Sequence, residues 1–410
     1  MHQSNLNTTK PSAHYVPPQP AGRPWTLSIA IPTSILSDLE TREQRTRLLG
    51  QVGRALAVFC IDEVVIFDDR EESYKSNASD PTTPDQETDD PSPYPQNQGF
   101  NQNYNARGRG GRGGGSYHNS NYHSRKPDHG TDTSLTNPLH YISHLLSYLE
   151  CPPFMRRSLF PIHSNLQLAG ILPSLDMPHH PNLREPNPPP YREGVTIEGM
   201  TSSGTPGTVV DIGLRSMVEI PNSEIPPKTR VTLHFPELTP SSYSQAGRNS
   251  GFGYSHGGGR HTTNAIDSLL SSPATAVSPS HPREASGYYW GYTVRTSPSL
   301  SAVFTECPFD GGYDISIGTS ERGSPIAKTF PGYRVLDFKH LIIVFGGPNG
   351  LEFAAGNDSE LAGMSIKGGK TKELFDHWVN VLPSQGSRTI RTEEALFIAL
   401  TGLRKLWDSS

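Results

Sequence analysis

The sequence predicts an α/β fold built on a parallel sheet, with a small all-β barrel inserted into it. Three observations carry that expectation. A strand–helix–strand run spans 25–69. Three strands followed by Gly- and Ser-rich loops fill the last third. Short strands crowd together between about 188 and 292.

"WTLSIAIP" (25–32) alternates and is rich in β-formers, which makes it a strand. In "TSILSDLETREQRTRLLGQVGRALAVFC" (33–60), Ile35, Leu39, Leu48, Leu49, Val52, Leu56 and Phe59 recur at helical spacing, and Thr33 or Ser34 can cap. "IDEVVIFDD" (61–69) is a short β-branched run, a buried strand, so the three segments form a parallel βαβ unit. Residues 70–134 read as a disordered insert. "NPLHYISHLLSYLECPPFMRRSLFP" is a helix and a proline-marked turn, and "NLQLAGILPSLDMPHH" is a loop with short structure. "EGVTIEG", "GTVVDIGL", "SMVEIP" and "TRVTLHFP" are the barrel strands, and "YYWGYTVRTS" returns the chain to the main sheet. "YDISIGTSERG", "HLIIVFGGPNGLE" and "HWVNVLPSQG" each read as strand then loop. A final helix over about 393–407 buries Leu396, Ala399, Leu400, Leu403 and Trp407. The expected organisation is a disordered tail over 1–22, an α/β domain split between 23–69, 135–187 and 293–410, the insert 70–134, and the barrel 188–292 carrying a disordered loop 238–286.

Composition narrows the function. Hydrophobic residues make up 33% while Gly and Pro number 39 and 38, which fits folded parts separated by long polar inserts. A net charge of −5 leaves any nucleic-acid argument to local patches. Cys60, Cys151 and Cys307 are far apart without a CxxC pair, which argues against a zinc ribbon and for a reducing compartment. The polar, proline-rich start has no apolar signal region, and no stretch approaches the roughly 18 apolar residues of a membrane span, so a soluble intracellular protein is expected. His179-His180 is the densest histidine pair and His163 lies upstream, but adjacent histidines point apart and no HExxH accompanies them, so no metal is expected. No G-x-S-x-G elbow supports a hydrolase triad.

The chemistry is expected in "GTSERG", "FGGPNG" and "PSQGSRTIR". Ligands of open α/β sheets bind beyond the carboxyl ends of the strands, and small residues let backbone approach a ligand closely. "FGGPNG" is neither GxGxxG nor a P-loop. Thr392 is placed to cap the last helix, with Glu393 and Glu394 in its first turn. Those carboxylates complement the helix dipole and repel a phosphate, so a neutral or cationic ligand such as S-adenosylmethionine fits better than a nucleotide. Plain capping explains both glutamates equally well.

Taken with "RPWTLSIAIP", "DEVVIFDD", "FPIHSNLQLAGILPSLDMPHH", "YREGV", "IGTSERG" and "IVFGGPNGLE", the segment "QGSRTIRTEEAL" resembles the SPOUT-superfamily RNA methyltransferases that carry a barrel inserted in the knot domain. The likeness is collinear over the expected ordered chain. It implies a Rossmann-like sheet whose C-terminal segment threads a deep trefoil knot, with an OB-like inserted barrel. It implies S-adenosyl-L-methionine bound by the knot loops, here Gly318, Thr319 and Ser320, then Phe345, Gly346, Gly347 and Gly350, then Asn380, Leu382, Pro383, Gln385, Gly386, Ser387 and Thr389. It also implies a homodimer, a ribosomal RNA or pre-ribosomal particle as partner, methylation of large-subunit RNA at uridine N3, and a nuclear or nucleolar location with the cytoplasm as the alternative.

Transfer to uridine N3 is chiefly positioning, with loss of the imide proton aided by a base or a cation. Arg388 and Arg391, with Arg322 and Glu321, are the charged candidates, Arg388 or Arg322 holding either the developing anion or a phosphate. An ion pair with Glu393 or Glu394 is the alternative for either arginine. RNA contacts are expected from the barrel, through Arg192, Arg215, Lys228 and Arg230, and from "RGRGGRGGG", through Arg107, Arg109 and Arg112. Solvated charges on a spacer and a neutral linker are the plain alternatives. Two other functions stay open, a protein (arginine) methyltransferase on the same fold and a non-catalytic RNA-binding assembly factor.

Overall fold

The computed structural model describes residues 22–70, 132–180, 189–201, 204, 206–214, 217–236, 273–332 and 334–408. Nearly all of the expected insert, with Arg107, Arg109 and Arg112, lies outside the described residues, as do nearly all of the tail, most of loop 238–286, and Arg215.

The chain forms a mixed α/β structure with a six-stranded parallel sheet and a separate curled antiparallel sheet of five strands. In the first half, β1 (Thr26–Pro32), helix α1 (Arg42–Val58) and β2 (Glu63–Phe67) make the expected βαβ unit, β1 and β2 running parallel. The helix starts later than its periodicity predicts. Thr33–Leu36 is a short 3₁₀ turn, and Thr41 begins α1 through a reciprocal box: Thr41 Oγ1 accepts from the Gln44 N–H at 3.2 Å and Gln44 Oε1 accepts from the Thr41 N–H at 3.0 Å. Thr33 and Ser34, the expected caps, instead donate their hydroxyls to Asp69 at the end of β2. Helix α2 (Pro138–Glu150) is capped by Asn137 and packs on α1, where Tyr141 and Leu145 meet Leu49, Val52 and Leu56 in one core.

The second sheet comprises β3 (Tyr191–Ile197), β4 (Gly207–Asp211), β5 (Val218–Pro221), β6 (Arg230–His234) and β7 (Thr275–Val277), in the order β5-β4-β3-β6-β7. Among the described residues β5 and β7 do not pair, so the expected barrel is a curled sheet rather than a closed one. β7 and helix α3 (His281–Ser286) fall inside the span expected to be a disordered loop. Sequence pattern missed β7 because its three residues are edge residues with little burial.

The chain then returns through β8 (Thr293–Ser297), helix α4 (Leu300–Thr305), β9 (Ile315–Pro325), β10 (His340–Val344), helix α5 (Gly350–Gly356), β11 (His377–Asn380) and helix α6 (Thr392–Leu403). The large sheet has the order β11-β9-β10-β1-β2-β8, and every neighbouring pair is parallel. Alternation along the strands fills two cores. Leu27, Ile29, Leu341 and Ile343 face α1, α2 and α6, whereas Ala30, Ile342 and Val344 face α4 and α5. The face expected of α6, Leu396, Ala399, Leu400 and Leu403, is fully buried.

The two sheets are joined by a buried charge cluster. Arg230 on β6, only 11% exposed, is bidentate to Glu150 at the end of α2, at 2.5 and 2.9 Å, and its Nε donates to Glu193 at 2.5 Å. Trp290 Nε1–H and the Thr232 hydroxyl each donate to Glu193 at 2.6 Å. His179 and His180 both turn to Glu150, His179 Nε2 lying 2.9 Å from its carboxylate and His180 Nε2 2.7 Å from its carbonyl. Burial pushes the Glu150 carboxyl up, but Arg230 and His179 together outweigh it and hold it well below the usual carboxylate range. Among the described residues no group of three or more such side chains is arranged to hold a metal, and no helix is long and apolar enough to cross a membrane.

Replacing Arg230 by Leu strands two buried carboxylates and is expected to cost about 3–5 kcal/mol in urea unfolding. Because the folded pKa of Glu150 is lowered below its ordinary 4.5, its contribution is present above that pH and is lost as the pH falls below it. Wild-type stability measured from pH 7 to pH 3 should fall, and part of that dependence should vanish in the variant.

Candidate active site

All strands of the large sheet run the same way, so the ends of β9, β10 and β11 open on one edge. The first wall of the site comes from an interruption in β9. β11 pairs His377 and Trp378 with Ile317 and Gly318, then Val379 and Asn380 with Ser324 and Pro325. The five residues from Thr319 to Gly323 are therefore extruded as a loop between two paired feet. This differs from the expected strand followed by a loop, because the chain rejoins the same strand. The glycine at the first foot and the one that ends the extruded loop are there for reasons of space: a Cβ on Gly318 would sit 2.6 Å from the Trp378 ring, and one on Gly323, just before the Ser324 foot, would sit 2.4 Å from the Val379 carbonyl carbon.

Side-chain hydrogen bonds fasten the three loops to one another. The Thr319 hydroxyl donates to Val344 O at 3.1 Å, and the Asn380 amide donates to Glu321 O at 2.8 Å. The Thr392 hydroxyl donates to Gly346 O at 2.9 Å. Thr392 is thus not the cap of α6 but the tie between that helix and the β10 loop. The cap position is Arg391, whose N–H donates to Glu394 Oε2 at 3.0 Å. Plain capping, the alternative for the glutamates, is what Glu394 does. Glu393 lies 4.0 Å from the Arg391 guanidinium.

The loops enclose a cleft of about 340 Å³. Thr319, Ser320, Glu321 and Arg322 line it from the β9 loop, and Phe345, Gly346, Gly347 and Gly350 from the β10 loop. Asn380, Leu382, Gln385, Arg388 and Thr389 line it from the segment after β11. Gly318, Pro383, Gly386 and Ser387 do not reach it; Gly318 packs beneath the Trp378 and Phe375 rings. Asn349, Glu352, Ile390 and Ala395 line the cleft without having been singled out in the sequence. For Glu352 the signal was its place two residues beyond Gly350 in the same loop-to-helix turn. Arg388 is exposed and, among the described residues, forms no ion pair; Arg322, 70% exposed, pairs with Glu352 at 3.3 Å. Neither arginine meets Glu393 or Glu394, the alternative considered for both.

The arginines and lysine expected to meet RNA on the second sheet separate. Lys228 is an exposed turn residue in the left-handed region, its N–H bonded to Thr196 O at 2.8 Å. Arg192 on β3 is partly buried. Arg230 is turned inward and committed to Glu150 and Glu193, which removes it from an RNA-facing role. Its alternation along β6 did not reveal this, because both carboxylate partners come from distant segments.

A family model described as "Putative RNA methyltransferase" matches residues 26–403. A "28S rRNA (uridine-N(3))-methyltransferase" of Mus musculus is 36% identical over 385 residues, which cover 93% of this chain and 77% of that protein. The protein of the same name from Homo sapiens is 35% identical over 386 residues, covering 93% and 79%. That of Drosophila melanogaster is 35% identical over 382 residues, covering 93% and 62%.

Gly347 faces away from open space. A Cβ there would lie 1.9 Å from Ser34 Oγ, which itself donates to the buried Asp69 carboxylate at 2.5 Å. Gly347→Ala is therefore expected to displace Ser34, break that bond and shift the β10 loop, lowering stability by about 1–3 kcal/mol in denaturant unfolding. Adding Ser34→Ala removes the colliding hydroxyl and should recover part of the loss, a non-additive pair. Full additivity would show that the two residues do not meet.

Proposed function

The chain belongs to this RNA methyltransferase family, and from that premise we propose that it methylates a uridine of large-subunit ribosomal RNA at N3, using S-adenosylmethionine bound in the three-loop cleft. The observation that carries the proposal is the convergence of the β9, β10 and β11 loops on one cleft lined mostly by small and neutral side chains. The residues suit a nucleoside carrying a cation. A Cβ on Gly346 would sit 2.8 Å from Leu351 N, so the loop packs backbone against backbone and leaves little side chain in the way. The four charged lining residues, Glu321 and Glu352 with Arg322 and Arg388, balance to no net charge, so the cleft is not the strongly cationic cradle that a polyphosphate calls for. When bound, the donor supplies an electrophilic methyl group.

The protein's own part is to hold both partners and exclude misalignment. The hydrogen-bonded loops fix the floor and walls of the cleft. Arg388 brings a guanidinium with no carboxylate partner among the described residues, suited to stabilise the uracil anion as its N3 proton leaves, or to hold a phosphate of the RNA. The segment after β11, which passes beside the β10 loop and leads into α6, supports a threaded trefoil knot of the SPOUT type. The same reading carries a homodimer and a nuclear or nucleolar location.

The test is transfer of labelled methyl from S-adenosylmethionine to large-subunit RNA, with the product located by nuclease digestion and mass spectrometry. N3-methyluridine is expected. Arg388→Ala should lower kcat by roughly a hundredfold while leaving donor affinity close to wild type, and Arg388→Lys should recover part of the rate. Donor binding without transfer to RNA would favour the non-catalytic assembly factor, and transfer to protein alone would favour the protein methyltransferase.

A further inference from the structure

The cleft holds a sheltered carboxylate that its mechanism has not used. Glu352 comes from the first turn of α5, and its side chain is 16% exposed. Its sole ion pair among the described residues is with Arg322, at 3.3 Å, and Arg322 stands 70% in solvent on the extruded β9 loop. Such a half-exposed pair is weakly held. The second carboxylate oxygen, Oε2, occupies the space over Gly350: a Cβ there would lie 2.9 Å from it, and Gly350 has φ +77°. Gly350 thus combines a backbone turn that favours glycine with room for the carboxylate. The other carboxylate lining the cleft, Glu321, is exposed, and its loop is anchored through its backbone carbonyl, not its side chain.

We propose that Glu352 is the residue that recognises a cationic group of the methyl donor, with Arg322 as the resting counterion that the donor displaces. This rests on the reading of the cleft as the S-adenosylmethionine site. A carboxylate removed from bulk water attracts a cation more strongly than one on the surface. A weakly held arginine leaves that attraction available to a ligand at small cost. The donor has two cations, its sulfonium and its α-ammonium, and either meets the chemistry that Glu352 offers. The pair also discriminates by charge: the carboxylate repels anionic nucleotides, and the neutral product, after loss of the sulfonium charge, binds less tightly where that charge was the one held.

The experiment is calorimetric titration of the full chain and of Glu352→Gln with S-adenosylmethionine, S-adenosylhomocysteine and 5′-methylthioadenosine. Glu352→Gln keeps size and one acceptor oxygen but removes the charge. If Glu352 holds the sulfonium, only S-adenosylmethionine weakens, by about tenfold or more. If it holds the α-ammonium, both amino-acid ligands weaken and 5′-methylthioadenosine does not. Arg322→Ala should leave S-adenosylmethionine affinity unchanged or tighten it a few fold. Equal affinities in wild type and Glu352→Gln, or an equal loss for all three ligands, would overturn the assignment, as would an Arg322→Ala variant that weakens as much as Glu352→Gln. Absence of binding by the wild-type chain would instead overturn the cofactor reading on which the assignment stands.

Discussion

The site depends on how β11 pairs with β9. That pairing holds Ile317 and Gly318 on one side and Ser324 and Pro325 on the other, and forces the residues between them out of the sheet. Neither Gly318 nor Gly323, the residues that bracket the loop, has room for a Cβ, since Gly318 lies under Trp378 and Gly323 against the β11 backbone. The Asn380 amide then reaches back from β11 to the Glu321 carbonyl and fixes the tip of the loop. One strand, four residues long, thereby shapes a wall of the cleft and supplies the segment that forms another. The contact joins residues about sixty positions apart, so its loop-closure entropy exceeds that of the contacts within the local elements. The cleft therefore rests on distant partners, whereas the βαβ unit of β1, α1 and β2 joins segments that follow one another in the sequence.

Charge is handled differently in the two halves of the molecule. Between the sheets, Arg230 is sealed among Glu150, Glu193 and Trp290, with every carboxylate oxygen of the pair engaged. Removing one member there leaves an uncompensated buried charge, so the cluster acts as a rigid joint that fixes how the curled sheet sits on α2. Around the cleft the charges are half exposed and loosely paired, as in Arg322 with Glu352, or without an ion-pair partner, as in Arg388. A joint requires saturation, and a site that must exchange ligands requires the opposite.

The legible parts of the sequence were those set by local pattern. The buried β-branched run of 63–67, the 3–4 spacing on α6 and the Gly-rich ends of β9, β10 and β11 each announce themselves within a few residues. What stayed hidden depends on partners far away. Thr33 looks like a cap until Asp69 claims its hydroxyl, and Thr392 until its hydroxyl finds Gly346 O. Arg230 looks like a surface cation on an alternating strand because nothing near it in sequence shows Glu150 approaching from α2. The extruded loop of β9 is invisible for the same reason, since a bulge is defined by the strand that pairs on either side of it.

The same contrast explains why the cleft residues resemble ordinary turn residues. A cleft built from backbone and small side chains carries no charged signature, and its specificity lies in where three loops are held rather than in what they contain. Thr319, Asn380 and Thr392 do that holding, each through one bond to a carbonyl of another loop. They are polar residues that look generic in sequence, yet each joins two of the three walls. Glu352, Glu321, Arg322 and Arg388 are then the few places where such a site expresses charge, and they divide by element: Glu352 on the β10 side, Glu321 and Arg322 on the β9 side, Arg388 on the segment after β11. On the function proposed above, a division of that kind separates recognition of the donor from management of charge on the acceptor, because a change in one loop need not disturb the other's chemistry so long as the three carbonyl bonds hold.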